Sequence, residues 1–247
     1  MEIFSKIITI PSNELAREVN LQVFGKYGFT LLAFPTVSDD FNPDVDAGFV
    51  NSVSNYIANG LFRMVFVPTI ENRIWKNSME RSACSELHKR YNNFLLNEVL
   101  PKVFQIAGSP SPIITFGCGE AGYFAGNTYF RHPDIFYGTI AIDAYFDIHH
   151  LSGYDYWDDN CYFNSPLDFL RNLEEEYWLI HLRAKKQVHI IALDEEDNQF
   201  AKSQALTLAD ILSQKRITHK LKIENYEGKD KIEKWQNAFK KIIEESI

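Results

Sequence analysis

The sequence predicts an α/β fold, a mostly parallel, doubly wound sheet flanked by helices on both faces. Three observations predict it. Strand-like and helix-like segments alternate along most of the 247 residues, as crossovers between parallel strands require. Several strand candidates are continuous apolar runs, above all Phe29-Thr30-Leu31-Leu32-Ala33-Phe34, which suits a strand covered on both sides. An apolar strand from Ile113 to Phe116 also runs through a tight small-residue turn, Gly117-Cys118-Gly119-Glu120-Ala121-Gly122, directly into a helix.

In chain order, 7–10, 19–24 and 29–34 read as strands, the last ended by Pro35. Residues 47–59 have helical spacing and stop at Gly60; 62–67 is a buried-type strand stopped by Pro68. A long helix is predicted over 82–106, with Leu87, Tyr91, Phe94, Leu95 and Val99 on one stripe and a kink or break near Pro101. The small-residue turn and its helix to Arg131 follow, then a strand over 137–142. Residues 143–166 are aromatic and polar and predict an ordered loop or small aromatic cap, an insertion of about 143–170. Beyond it come a helix (167–182), a strand (188–193), a helix (198–214), a strand (218–224) and an amphipathic closing helix (231–243). With no internal repeat and no Gly/Ser linker, one domain over 1–247 is expected.

Composition narrows the function classes. The net charge is −8 and no Lys/Arg block occurs, which argues against nucleic acid and anionic membranes as partners. Three widely spaced cysteines, Cys84, Cys118 and Cys161, fit a reducing compartment better than a disulfide framework. No apolar run approaches the roughly 18 residues of a membrane span, and the first residues lack a secretory pattern. A cytoplasmic location is expected, without a metal or an organic cofactor. A homo-oligomer is compatible with this composition.

The residues from the turn onward carry a resemblance. Gly117-Cys118-Gly119-Glu120-Ala121-Gly122-Tyr123, followed by Arg131-His132-Pro133-Asp134-Ile135-Phe136, resembles the esterase family of α/β-hydrolases that includes esterase-D-like, feruloyl-esterase-like and mycolyltransferase-like proteins. Its bacterial members commonly read G-C-S-M-G-A-Y, then R-H-P-D-L-F. Phe34-Pro35-Thr36, Leu96-Asn97-Glu98-Val99-Leu100-Pro101 and Tyr162-Phe163-Asn164-Ser165-Pro166 match further segments of the family in the same order. The resemblance spans roughly residue 19 to the C-terminus. It implies the α/β-hydrolase fold and a site at the strand–turn–helix elbow, where the family presents a serine nucleophile.

At that position this chain has Gly119, which has no side chain to attack anything. Counting back from Arg131-His132-Pro133 puts Gly119 at the apex; a register one residue later would put Glu120 there, as a carboxylate nucleophile. In the Gly119 register, the Glu120 N–H stands where the family has an oxyanion donor. Cys118 is a second candidate for relocated chemistry, although the residue before the apex points back to the sheet and reads as small packing. The family's histidine comes between the final strand and the last helix. Here that stretch, Asn225-Tyr226-Glu227-Gly228-Lys229-Asp230-Lys231-Ile232, has none. Asp194 and Asp197 are the acid-loop candidates by spacing, but acids before a helix also satisfy its N-terminal N–H groups. His88 reads as a surface-helix residue. His149, His150 and Asp147 form the one local metal-like cluster, without an evident third spaced ligand.

The sequence therefore predicts an esterase-like chain without the serine and histidine, a non-catalytic pseudo-esterase acting in ligand binding or assembly. The alternative is an active ester hydrolase using Glu120 or Cys118. Candidate ligand-binding residues are Thr36 and Val37 after the third strand, Glu120, and Tyr156 and Trp157 in the aromatic segment. An ester, acyl compound or sugar is the ligand class expected.

Overall fold

A computed structural model describes residues 3–70, 80–185 and 187–246. Eight strands form one sheet in the order β1-β2-β4-β3-β5-β6-β7-β8. They are β1 (Ser5–Ser12), β2 (Arg17–Phe24), β3 (Phe29–Ala33), β4 (Phe62–Phe66), β5 (Ile113–Cys118), β6 (Gly138–Ile142), β7 (Gln187–Leu193) and β8 (Lys220–Glu224). β1–β2 and β2–β4 pair antiparallel, and every pairing from β4 to β8 is parallel. The central strands β4, β5 and β6 are buried at every position, which is why they read as unbroken apolar runs rather than alternating ones.

Helices cover both faces. One face packs Tyr91 and Phe94 from α3 (Arg81–Phe94) and Tyr123 and Phe124 from α5 (Glu120–Arg131) against Leu32 and Val65. The other packs Phe49 from α1 (Asp46–Ser52) and Phe239 from the closing helix against Met64 and Phe116. The Phe239 ring stacks on Phe116 with centroids 4.1 Å apart, so the last helix is fixed directly beneath the elbow strand.

Two helices expected as single elements, 47–59 and 167–182, are broken, and the long helix is interrupted just before Pro101, where a kink or break is expected. Residues 47–59 divide at Val53 into α1 and α2 (Ser54–Ala58), because Val53 leaves helical geometry (φ −119°, ψ 18°). The long helix passes from α3 through a π turn at Leu95–Val99 into α4 (Leu100–Ala107). Pro101 lies at the start of α4, and the wider π turn spares its ring the clash with the carbonyl one turn back. Residues 167–182 become α8 (Pro166–Arg171) and α9 (Glu176–Ala184). Between β6 and α8 the aromatic segment carries α6 (His149–Ser152) and α7 (Asp159–Phe163). After β7, a 3-10 turn at Glu196–Asn198 leads into α10 (Gln199–Gln214), and α11 (Lys231–Ser246) closes the described chain.

A buried polar hub ties the aromatic segment to the elbow helix. Asn164 is 1 % exposed, and its Oδ1 accepts from Asn92 Nδ2, Asn127 Nδ2 and Arg131 Nη1 at 2.9, 2.8 and 2.7 Å. The Tyr123 hydroxyl donates to the Asn164 carbonyl at 2.8 Å. His88, expected on the surface, is instead 1 % exposed with its Nε2 3.3 Å from the Tyr123 hydroxyl. The stripe of aromatics on α3 turns His88 inward, and burial, reinforced by the Arg131 charge, pulls its pKa down to about 3.

Candidate functional site

Gly119 stands between the end of β5 and the start of α5 with φ 59° and ψ −124°. This left-handed conformation at the strand-to-helix joint defines the apex of an elbow, and L side chains adopt it only under strain. Gly117 shows how tight the turn is: a Cβ there would lie 2.2 Å from the Ala121 carbonyl oxygen. The apex is therefore Gly119 and not Glu120. Glu120 is half-buried in the first turn of α5, with its negative charge near the Tyr145 phenol.

The space above the apex is filled by an indole. A Cβ built on Gly119 would meet Trp235 Cη2 at 3.1 Å, with two further ring atoms at 3.7 and 3.8 Å. Trp235 belongs to the first turns of α11, just past the stretch searched for an imidazole, and it is 9 % exposed. Its Nε1 donates to Asp143 Oδ2 at 2.5 Å. Asp143 directly follows β6 with φ 51°, is 5 % exposed, and accepts on Oδ1 from the Leu193 N–H and from Asn198 Nδ2, both at 2.7 Å. Lys231 Nζ donates to Asn198 Oδ1 at 3.0 Å and stands 3.9 Å from the Asp143 carboxylate. A buried carboxylate is tolerable only with this many donors. The network locks the start of the closing helix onto the ends of β6 and β7, with the indole as its roof over Gly119.

The other predicted site residues are placed as follows. Cys118 is fully buried, and burial first, then the charges of Asp143 and Asp46, push its thiol well above the usual range. That is the opposite of an activated thiolate. Thr36 contributes its N–H to Asp46 Oδ1 at 3.0 Å, while Asn42 N–H holds the other oxygen at 2.8 Å. Asp46 is fully buried, so the backbone donor of the β3 loop is already committed inside the protein. Val37 is exposed. Asp194 is exposed and pairs with Lys202 at 2.5 Å, and Asp197 is exposed in the 3-10 turn. The carboxylate beside the apex is Asp143, which reading the acid loop could not find because it follows β6 rather than β7.

The seven histidines lie elsewhere. His88 is in the hub; His189 and His219 bond to Gln187 and the Ile217 carbonyl at the β7–β8 end. His132 caps α5, and His181 packs on Tyr177. His150 packs between Tyr145 and Phe200. His149 lies between two stacked rings, Tyr154 at 5.2 Å and Trp157 at 4.7 Å. Tyr154 and Trp157 are 77 % and 47 % exposed, so this stack presents aromatic surface outward, whereas the Tyr156 hydroxyl turns in to Asp158 at 2.8 Å. The metal-like cluster differs in one member from the expected one: Asp147, His149 and Asp168 bring ligand atoms within 4.8 Å of one another, and His150 points away to its own aromatic neighbours. Asp147 is already turned to the His149 N–H at 2.8 Å, and Asp168 Oδ2 stands 4.0 Å from His149 Nε2.

No family model matches the chain, and no curated protein matches it. Solved structures do. A ferulic acid esterase superposes with a TM-score of 0.72 at 18 % identity, over 97 % of this chain and 96 % of that one. An S-formylglutathione hydrolase from Staphylococcus aureus gives 0.65 at 15 % identity, over 98 % and 96 %. MPT51 of Mycobacterium tuberculosis gives 0.66 at 12 % identity, over 98 % and 97 %. The chain has the α/β-hydrolase fold. Among the described residues, no helix is long and apolar enough to cross a membrane.

Proposed function

We propose that this protein is a non-catalytic pseudo-esterase, an α/β-hydrolase scaffold retained for binding. The observation that carries the reading is the Trp235 indole, 3.1 Å from where the first side-chain atom at position 119 would be. Acyl transfer in this fold needs a nucleophile at the apex, a base within hydrogen-bond reach of it, and donors aimed at the developing oxyanion. Here the apex has no side chain, the space over it holds a ring that donates to a buried carboxylate, and the β3-loop donor at Thr36 is engaged by Asp46. Residual oxyanion and binding effects alone leave a small fraction of normal catalysis.

The relocated-chemistry alternative is weaker. A buried thiol with a raised pKa gives Cys118 no thiolate, and Glu120 lies beside the apex rather than on it. The binding face of this reading is the exposed aromatic stack of Tyr154, His149 and Trp157, whose flat faces suit a sugar or an aromatic acyl group. The test is turnover of short-chain aryl esters beside thermal-shift screening with glycans and aromatic acids. The reading predicts no turnover above buffer and a shift that Trp157→Ala removes. Turnover abolished by Glu120→Gln or Cys118→Ala overturns it.

A further inference from the structure

A cleft lies at the end of the sheet away from Gly119. Gly25 N–H bonds to the Phe4 carbonyl, and the register Phe24↔Met64 sets the end of β2 beside the start of β4, whereas Gly119 follows the opposite ends of the parallel strands. Here a cleft of about 360 Å³ opens between the β1–β2 edge and α4, within the size range of small-molecule sites. Its apolar part is formed by Ile8 and Val23 on the sheet side and Ile106 on the helix. Three lysines also line it, Lys6, Lys26 and Lys102, and no acidic residue does. The chain as a whole is −8, so this is a local inversion of charge.

The lysines have no carboxylate partner among the described residues. Lys26 stands 4.7 Å above the Phe4 ring, and Lys102 donates to Gln105 at 2.8 Å. A fourth cation lies behind them. Arg63 is 3 % exposed; its Nη2 donates to the Lys26 carbonyl at 3.0 Å, while Nε and Nη1 are buried without an acceptor. A buried, half-satisfied guanidinium is costly unless negative charge comes near it. Lysine on an edge strand is a common guard against edge pairing and accounts for Lys6. It does not account for Lys26 in the β2–β3 turn, Lys102 on α4, or Arg63 in the interior.

We propose that this cleft binds a medium-chain organic anion, its anionic head among the lysine ammonium groups and its apolar tail against Ile8, Val23 and Ile106. The site is remote from Gly119 and independent of whether that apex is inert. The test is isothermal titration calorimetry of the whole chain with sodium octanoate, octyl phosphate and octanol. At least one anion is expected to saturate one site, the tighter of the two naming the head group, with octanol about tenfold weaker or worse. Charge reversal by Lys26→Glu with Lys102→Glu is expected to weaken the anion about tenfold. Lys220→Glu with Lys240→Glu, an equal charge change at distant exposed positions, leaves binding unchanged; melting curves check that both variants fold. Failure of both anions to saturate by about 10 mM, octanol binding as well as the anions, or equal loss in the two double variants overturns the proposal.

Discussion

Gly119→Ala isolates the contact on which the inert-apex reading rests. The substitution adds one methyl group, and its cost has two parts. Alanine at φ 59°, ψ −124° carries backbone strain of about 1–3 kcal/mol. The same methyl meets Trp235 Cη2 at 3.1 Å, tighter than ordinary contact, inside a ring pinned by its bond to Asp143. Over-packing of this kind costs about 1–3 kcal/mol. A combined loss of about 2–6 kcal/mol follows. With an unfolding entropy of about 2.1 cal/mol/K per residue, a chain of this size loses about 2 °C per kcal/mol, or about 4–12 °C in Tm. Urea denaturation of Gly119→Ala, Trp235→Leu and the double variant separates the parts. Withdrawing the ring leaves only the strain, so the cycle is expected to show a coupling of about 1–2 kcal/mol. Additivity within about 0.5 kcal/mol would mean that the indole does not press on the apex, and would refute the reasoning.

Other predictions are more compact. Stability is expected to fall on acidification between pH 6.5 and 3, since burial holds His88 at a pKa of about 3, and His132, helped by Arg131, and His189, helped by Lys220 and Lys222, at about 4. Below the unfolded value of about 6.5 only the unfolded chain takes up these protons. Each of the three sites therefore costs up to about 2 kcal/mol at pH 5; urea midpoints at pH 7.5 and 5.0 measure it, and His189→Gln should remove about a third of the drop. Asn164→Ala strips the acceptor from three buried donors, one of them the Arg131 guanidinium, and is expected to cost about 3–5 kcal/mol, read by the same titration.

Much of this fold is legible in the sequence because its central strands are covered on both faces and must be apolar throughout, as at Phe62–Phe66 and Ile113–Phe116. The elbow is legible because only residues without bulk fit at 117 and 119. The helix breaks are less so: Val53 and the π turn at Leu95–Val99 arise from packing, and no local residue other than Pro101 announces them. The apex network is the least legible part. Asp143, Asn198 and the pair Lys231 and Trp235 come from three separate segments and meet only in the folded sheet. Nothing in the local sequence marks Trp235, whose role depends on its indole edge reaching a glycine that is distant in sequence. His88 was misplaced for a similar reason: a polar residue on a long helix reads as solvent-facing until Tyr123 and Phe124 are known to pack against it.

The central claim is that no group at the apex can attack a carbonyl or phosphonate centre. Intact-mass spectrometry after incubation with an alkyl fluorophosphonate tests it most directly, because the reagent reports any activated nucleophile without requiring turnover. An inert apex leaves the chain unmodified after exposure that fully labels an active serine esterase. A single stoichiometric adduct mapping to the peptide that holds Cys118, Gly119 and Glu120 would contradict it.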